Sequence, residues 1–414
     1  MAGRFAIAFD TLKPDFLSLR ADPNGVDPRT GTLFRAFTSN DTGFEVFEVQ
    51  TEVIGEFETG SIQHTLLVGF DLLFAEASIQ TTVDLAPPVN VFDPEIGLVD
   101  TPDLPLAFTA NDSFTDLNRV SIFLQDQIEL LPRLNLLLGG RLDFVSQENE
   151  SAAIFIPGVV NNPALDVERD DDAFSPRVGI VYQPIDQLYL YASYSQSFQP
   201  NTLTQTTIEG DFLEPEEAEQ FEVGVKANLF GDRLAITLAF FDLELTNVAA
   251  TDPTNSNFVT AIGEQSSRGM ELDIQGEILP GWNIIASLGL LDAEIEESED
   301  FPEGAKPGNA ADTTVSLFTS YEIQNGSLQG LGFGLGLFYV SDRFGDDVNS
   351  FEIDDYLRTD LALFYRRDRL RLGLNFQNLF DIEFFESGSF NGANPGGTIY
   401  SAWHSFSRVL GKSL

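Results

Sequence analysis

The apolar residues of this chain repeat with a period of two over most of its length, and that pattern decides what it can fold into. Leu370, Leu372, Leu374 and Phe376 alternate with Arg371, Gly373, Asn375 and Gln377. Met270, Leu272, Ile274 and Ile278 run against Glu271, Asp273, Gln275 and Glu277. Phe221, Val223, Val225, Ala227 and Leu229 oppose Gln220, Glu222, Gly224, Lys226 and Asn228 in the same way. Alternate side chains of a strand point to opposite faces, so each segment reads as a strand with one apolar and one polar face. Leu357, Leu361, Leu363 and Tyr365 against Arg358, Asp360 and Arg366 add another. Further strands are predicted near residues 61–73, 119–130, 135–145, 176–183, 188–198, 234–245, 282–291, 313–322 and 331–341. No segment carries a helical period.

The connections between these strands alternate short and long. Short turns fall at Glu58-Thr59-Gly60, around Pro132, at Pro184-Ile185-Asp186, Gly231-Asp232, Pro280-Gly281, Asn325-Gly326 and Arg367-Asp368. Between them lie long acidic, Pro-containing stretches near residues 75–114, 146–172, 199–217, 249–265, 292–308, 342–354 and 381–397. Tight turns at one rim and large loops at the other are the mark of an up-and-down barrel. A sandwich or a propeller has no reason to sort its loops this way. The count is about 15–17 strands, roughly 24 residues each with their connections, where ~9–11 suffice to cross a bilayer at a tilt. Such a barrel is too wide for its own side chains to fill.

Either a buried core or lipid can take up the apolar face. No helices and no second sheet are available to cover so much apolar surface, so the faces are read as apolar toward lipid and polar toward a wet lumen. Arg371, Asn375, Gln377, Glu271, Asp273 and Gln275 are then expected to line the lumen. Aromatics near strand ends (Trp282, Tyr182, Tyr189, Tyr191, Tyr321, Tyr339 and Phe380) suit girdles at the membrane interfaces, although β propensity alone also enriches them. No window approaches 18 apolar residues, so no transmembrane helix is expected. The start, MAGRFAIAFDTLKPDF, has no basic and apolar leader pattern.

Composition excludes several classes. With 65 Asp and Glu against 22 Lys and Arg, the net charge is −43. A surface this acidic repels phosphate backbones, so nucleic acid is not an expected partner. There is no cysteine and there are two histidines, too few for a thiolate or ordinary zinc site. His64 alternates with Ile62, Leu66 and Val68 beside a short turn and reads as a rim residue. No G-x-S-x-G is present, and no pair of carboxylates is singled out for glycoside hydrolysis. The glycine run 330–336 has the wrong spacing for a dinucleotide loop and sits within a strand. The acidic runs 166–172 and 294–300 could hold Ca²⁺ through carboxylate oxygens, yet neither matches a calcium loop and such runs are ordinarily solvated. No enzyme, catalytic residue, metal site or resident cofactor is expected, and no ligand-binding residue is named. The acidity disfavours anionic ligands at low salt; divalent cations bridging acidic loops to lipopolysaccharide phosphates would account for it equally well.

Several segments together resemble the β-barrel domain of TonB-dependent siderophore receptors, the ferrichrome-receptor type in particular. They are Phe57-Glu-Thr-Gly-Ser-Ile-Gln-His-Thr-Leu-Leu-Val-Gly-Phe-Asp71, Leu124-Gln-Asp-Gln127 and Phe174-Ser-Pro-Arg-Val-Gly179. Tyr191-Ala-Ser-Tyr-Ser-Gln-Ser-Phe-Gln-Pro200, Glu219-Gln-Phe-Glu-Val-Gly-Val-Lys226, Ser267-Arg-Gly-Met-Glu-Leu-Asp273 and Asn375-Phe-Gln-Asn-Leu-Phe-Asp381 complete the set. Their order and spacing follow the family from about residue 43 to 385, with residues 1–42 weakly matched and 398–414 an atypical tail.

The resemblance implies an all-β, transmembrane antiparallel barrel over residues 1–414, holding about 15–17 of the family's roughly 22 strands. It implies an outer-membrane protein that takes up ferric siderophore, with energy supplied through TonB. The partners it implies are the siderophore, the TonB complex and outer-membrane lipid. The family's leader, plug domain and TonB-binding segment are not recognised here, and the tail at Ile399–Leu414 alternates poorly. The expectation is therefore a barrel portion not competent alone, with unpaired edges that lipid does not tolerate. A plugless passive pore, or a receptor for another ligand such as haem or cobalamin, are the alternatives.

Overall fold

The computed structural model describes residues 2–12, 15–27, 29–93, 108–152, 165–201, 206–254, 258–391, 394–401 and 406–412. They form β1 (Ala2–Leu12), β2 (Asp15–Asp27), β3 (Thr32–Thr59), β4 (Ile62–Asn90), β5 (Phe108–Leu131), β6 (Leu134–Ser151) and β7 (Leu165–Ile185). Next come β8 (Leu188–Gln199), β9 (Glu216–Leu229), β10 (Leu234–Thr251), β11 (Val259–Leu279), β12 (Trp282–Glu297), β13 (Thr313–Glu322) and β14 (Leu331–Val340). The series ends with β15 (Arg343–Phe344), β16 (Glu352–Ile353), β17 (Tyr356–Arg367), β18 (Leu370–Phe376), β19 (Phe385–Asn391), β20 (Asn394–Ser401) and β21 (Phe406–Lys412). No helix occurs among the described residues.

Seventeen strands make one sheet, and from β3 each pairs antiparallel with the next main strand along the chain. β15–β16 and β19–β20 are separate small ladders. β1 and β2 flank β3 in one register, Leu12 opposite Phe44 and Asp15 opposite Asp41, so the two occupy a single strand position. The other flank is β21, which pairs with β18 alone, and the described sheet is not closed.

Each predicted short turn is present, and local chemistry makes it. Gly60, Gly231, Gly281 and Gly326 adopt positive φ, as do Arg133, Asp232 and Asp368, the conformation that tight hairpins demand. The long connections alternate with them, at the opposite end of the strands. They are shorter than the sequence suggests, because the strands run on. β3 and β4 pair from Thr59 opposite Ile62 to Thr32 opposite Asn90, with one bulge between Leu33 and Arg35, and are 28 and 29 residues long. That is about 90 Å of strand at ~3.3 Å per residue. Their acidic outer ends look like loop in composition, but paired strands satisfy each other's backbone and tolerate polar side chains on both faces in water. The tail also departs from expectation. Phe406–Lys412 forms β21 despite its poor alternation, because pairing with the free flank of β18 needs only backbone groups.

The two faces of the sheet are buried in the opposite sense to a soluble protein. Phe70, Ile122, Leu142 and Phe174 lie side by side across β4–β7 and are 40%, 52%, 43% and 60% exposed. One residue along, Asp71, Ser121 and Asp143 form the neighbouring row, where Ser121 is fully buried and Asp143 nearly so. Soluble folds put the large apolar residues inside. Among the described residues the buried apolar cluster is instead a small one where long connections meet: Ala250, Ile262, Ile295, Phe301 and Ala305, with Val248 and Val348 against it.

Candidate functional site

The polar face carries clusters of paired charges between stretches of glycine and aromatic residues. Arg141 donates from Nη1 to Asp71 Oδ2 at 2.7 Å and from Nε to Asp143 Oδ1 at 2.8 Å, and it lies over the Phe123 ring. Ser121 Oγ donates to Asp143 at 2.5 Å. Further round, Tyr191 donates to Glu222 Oε1 at 2.6 Å and Lys226 sits 5.0 Å above the Tyr191 ring. By register Arg119, Arg141, Arg169, Arg177 and Lys226 all point to this face. Asp71, Asp143, Glu222, Glu271 and Asp273 share the wall with these cations, and Glu148, Glu150 and Asp166 are exposed on the other face, so both faces carry the acidity.

The residues expected on the lumen side are largely where the period put them. Glu271, Asp273 and Gln275 oppose Ala239, Thr237 and Ala235 on the polar face. Arg371 and Asn375 share a face opposite Arg366 and Ala362. Gln377 lies one residue beyond the end of β18. Within the glycine run, Gly332, Gly334 and Gly336 occupy the polar face of β14; a Cβ on Gly332 would come 2.2 Å from the Phe364 ring. The run is room for aromatic rings laid along the wall.

The aromatic set divides. Trp282, Tyr321 and Phe333 make one row on the apolar face near the short turns, the Tyr321 and Phe333 rings 6.1 Å apart, and Trp282 Nε1 donates to Thr319. Tyr182 and Tyr339 share that face. Tyr189 and Tyr191 do not. They oppose Lys226 and Gly224 on the polar face, because nearness to a turn does not set which way a residue points. His64 is a rim residue on the apolar face, as expected, and His404 lies outside the described residues. Asp166, from the first acidic run, meets Glu148 and Glu150 with ligand atoms within 4.8 Å of one another.

At the long-connection end, loops are stitched into a cap that sequence reasoning missed. Asn309 donates to Gly388 O at 2.9 Å and accepts from Gly388 N at 2.8 Å. Asn349 makes the same two-way clip to the Lys306 backbone, 2.7 and 2.9 Å. Arg343, only 5% exposed, donates to the carbonyls of Phe385 and Glu386 at 2.9 and 2.8 Å and stacks near Tyr356. These partners are 42 to 79 residues apart. Under the cap lies a cavity of about 400 Å³ bounded by Glu271, Asn309, Thr314, Arg343, Tyr356 and Glu386. It sets a few polar groups among apolar residues such as Phe241, Leu291 and Val340, the mixed lining of a small-molecule pocket.

The sequence model of the family described as "TonB dependent receptor-like, beta-barrel" matches residues 6–379. Among curated proteins, the metal-pseudopaline receptor CntO of Pseudomonas aeruginosa is 30% identical over 362 residues, covering 86% of this chain and 50% of that protein. The ferrichrome outer membrane transporter/phage receptor of Escherichia coli is 30% identical over 368 residues, 86% of this chain and 47% of that protein. Among solved structures, the siderophore receptor PiuA from Acinetobacter baumannii superposes with a TM-score of 0.78 at 21% identity, covering 97% of this chain and 60% of that one. The ferric-catecholate import receptor Fiu of E. coli, in its closed form, gives 0.80 at 19% identity, with the same coverage. The chain spans about half the length of the curated relatives it matches.

Proposed function

The chain belongs to the TonB-dependent receptor β-barrel family of the outer membrane, and from that premise we propose that it forms a transmembrane barrel wall of a receptor for ferric siderophore uptake. The observation that carries this is the inverted burial: bulky apolar side chains exposed on one face, paired charges buried on the other. In lipid that arrangement is the favourable one. The apolar face meets the acyl chains, the Trp282–Tyr321–Phe333 row lies at the short-turn interface, and the Arg141–Asp71–Asp143 wall lines the lumen.

The cavity beneath the Arg343 cap is the entry site in this reading. The similar proteins include a ferrichrome transporter and the siderophore receptor PiuA, and the cations on the polar wall suit a ligand bearing oxygen donors. In this reading energy is supplied through TonB, which the resemblance to the family supports. The chain acts as a receptor, with no catalytic residue assigned, no resident cofactor and no nucleic-acid partner.

The test uses outer membranes containing the chain and an iron-55-labelled panel: ferrichrome, ferrioxamine B and a catecholate complex. Saturable retention of one complex, competed by the unlabelled form, is expected. Retention of haem or cobalamin instead would move the ligand class. Steady single-channel conductance without any binding would favour the passive pore.

A further inference from the structure

Toward the long connections the sheet parts between β7 and β8. β7 pairs with β6 from Leu165 opposite Ser151 down to Tyr182 opposite Leu134. With β8 it pairs only from Arg177 opposite Ser195 downward, while β8 stays with β9 up to Gln199 opposite Glu216. Pro176 stands at the fork and has no N–H to continue the ladder. Above it, the β8-side edge of residues 165–175 has no strand against it among the described residues. A cleft of about 270 Å³ opens at the fork, between residues 172–175 and 196–198.

This edge is charged on one side only. Asp166, Glu168, Asp170 and Asp172 alternate along its outward face, all of them exposed, and Glu217, Glu219 and Glu244 stand across the cleft. The one cation of residues 165–175, Arg169, points to the other face, held by Asp171 at 2.9 Å and by the Leu213 carbonyl. Phe174, 60% exposed, and Phe198 line the cleft. A free edge offers N–H and C=O groups for another strand to bind. A second copy of this chain would bring its own acidic row, and like charges facing each other across a strand pair are unfavourable. The occupant that satisfies both backbone and carboxylates is an extended segment with Lys or Arg at every second residue.

We propose that the edge of β7 above Pro176 is a docking site for a basic, extended segment of another protein, which adds to the sheet as an antiparallel strand. Main-chain bonds supply the affinity and alternate side chains the choice of partner. The basic side chains lie along the row from Asp166 to Asp172, and an apolar residue at the inner end enters the cleft against Phe174 and Phe198. Antiparallel pairing continues the pattern of the neighbouring strands. A metal cation alone would meet the carboxylates and leave the backbone edge bare. The site goes beyond the receptor reading and takes from it only that the long connections face the cell exterior, where such a segment can reach the edge.

The test is fluorescence anisotropy of the full chain in detergent micelles with a labelled peptide that alternates lysine with valine and ends in phenylalanine. Saturable binding of one peptide per chain is expected, with hydrogen exchange slowed at residues 165–175 and unchanged in β14. Residues on one face of a strand send their N–H and C=O groups to the same edge, so only the lysine set or only the valine set bonds to β7. Two further peptides, N-methylated at the lysine or at the valine nitrogens, carry equal charge, and one should bind about tenfold more weakly than the other. Equal binding of the two marks a charged surface only and overturns the docked strand, as does protection confined to other strands. Glu168→Lys with Asp170→Lys should weaken binding about tenfold, and an unchanged affinity there overturns the site. Binding in micelles, with none on cells that display the chain in truncated lipopolysaccharide, would overturn the outward orientation instead, a separate failure.

Discussion

His64 and Asp126 meet on the apolar face of β4 and β5, Nδ1 to Oδ2 at 2.7 Å. The other ring nitrogen is 2.7 Å from Thr59 Oγ1, and the Phe57 ring stacks on the imidazole at 4.7 Å. Leu124 and Ile128 flank Asp126 on the same face of β5, so a carboxylate stands within the band that the proposed reading turns to lipid. Ionisable groups there are tolerated only when paired.

Removing one partner is therefore worse than removing both. His64→Phe should cost about 3–5 kcal/mol, because the carboxylate is left without its partner. His64→Phe with Asp126→Leu should recover most of that loss. Urea titration of the micelle-bound chain measures it, and a double variant no more stable than the single one sinks the argument.

The faces assigned to β18 make a second prediction. Leu372→Arg puts a charge on the apolar face and should cost about 2–4 kcal/mol near the bilayer midplane. Asn375→Arg puts the same charge on the polar face and should cost much less. Heat-modifiability on gels, scored for each variant, reports the difference. Equal losses would mean the faces are misassigned.

Gly332 tests the inner wall. A Cβ there meets the Phe364 ring at 2.2 Å, so Gly332→Val forces the ring aside and should destabilise by about 1–3 kcal/mol. Phe364→Ala in the same chain frees the space and should restore part of the loss. Without such coupling, the glycine run serves some other purpose.

What the sequence made legible follows from what is local. Period two placed the strands and the faces of Glu271, Asp273, Arg371 and Asn375, and glycine and proline placed the short turns. Strand length was hidden, because the acidic outer half of β4 has loop-like composition and only its partner β3 makes it a strand. Tyr189 and Tyr191 suit a girdle by their nearness to a turn yet lie on the polar face, because position near a turn carries no parity. The pairing of His64 with Asp126 spans 62 residues and the Asn309–Gly388 clip spans 79; nothing at either position announces the other.

The cap gives the last prediction. Arg343 is nearly buried, and its guanidinium holds the carbonyls of Phe385 and Glu386 over the cavity that Glu271 and Tyr356 line. Hydrogen bonds to a charged donor contribute about 1.5–3 kcal/mol each. Arg343→Ala removes both, so β19 should detach from the cap while the strands below stay paired. Protease added outside intact cells should then cut near residues 385–391 at least tenfold faster, and affinity for the retained iron complex should fall by a similar factor. Arg371→Ala alters the same polar face away from the cap and should leave both readouts near the parent values. If Arg343→Ala weakens binding but leaves the cleavage rate unchanged, the arginine touches the ligand directly and is not a strut of the roof.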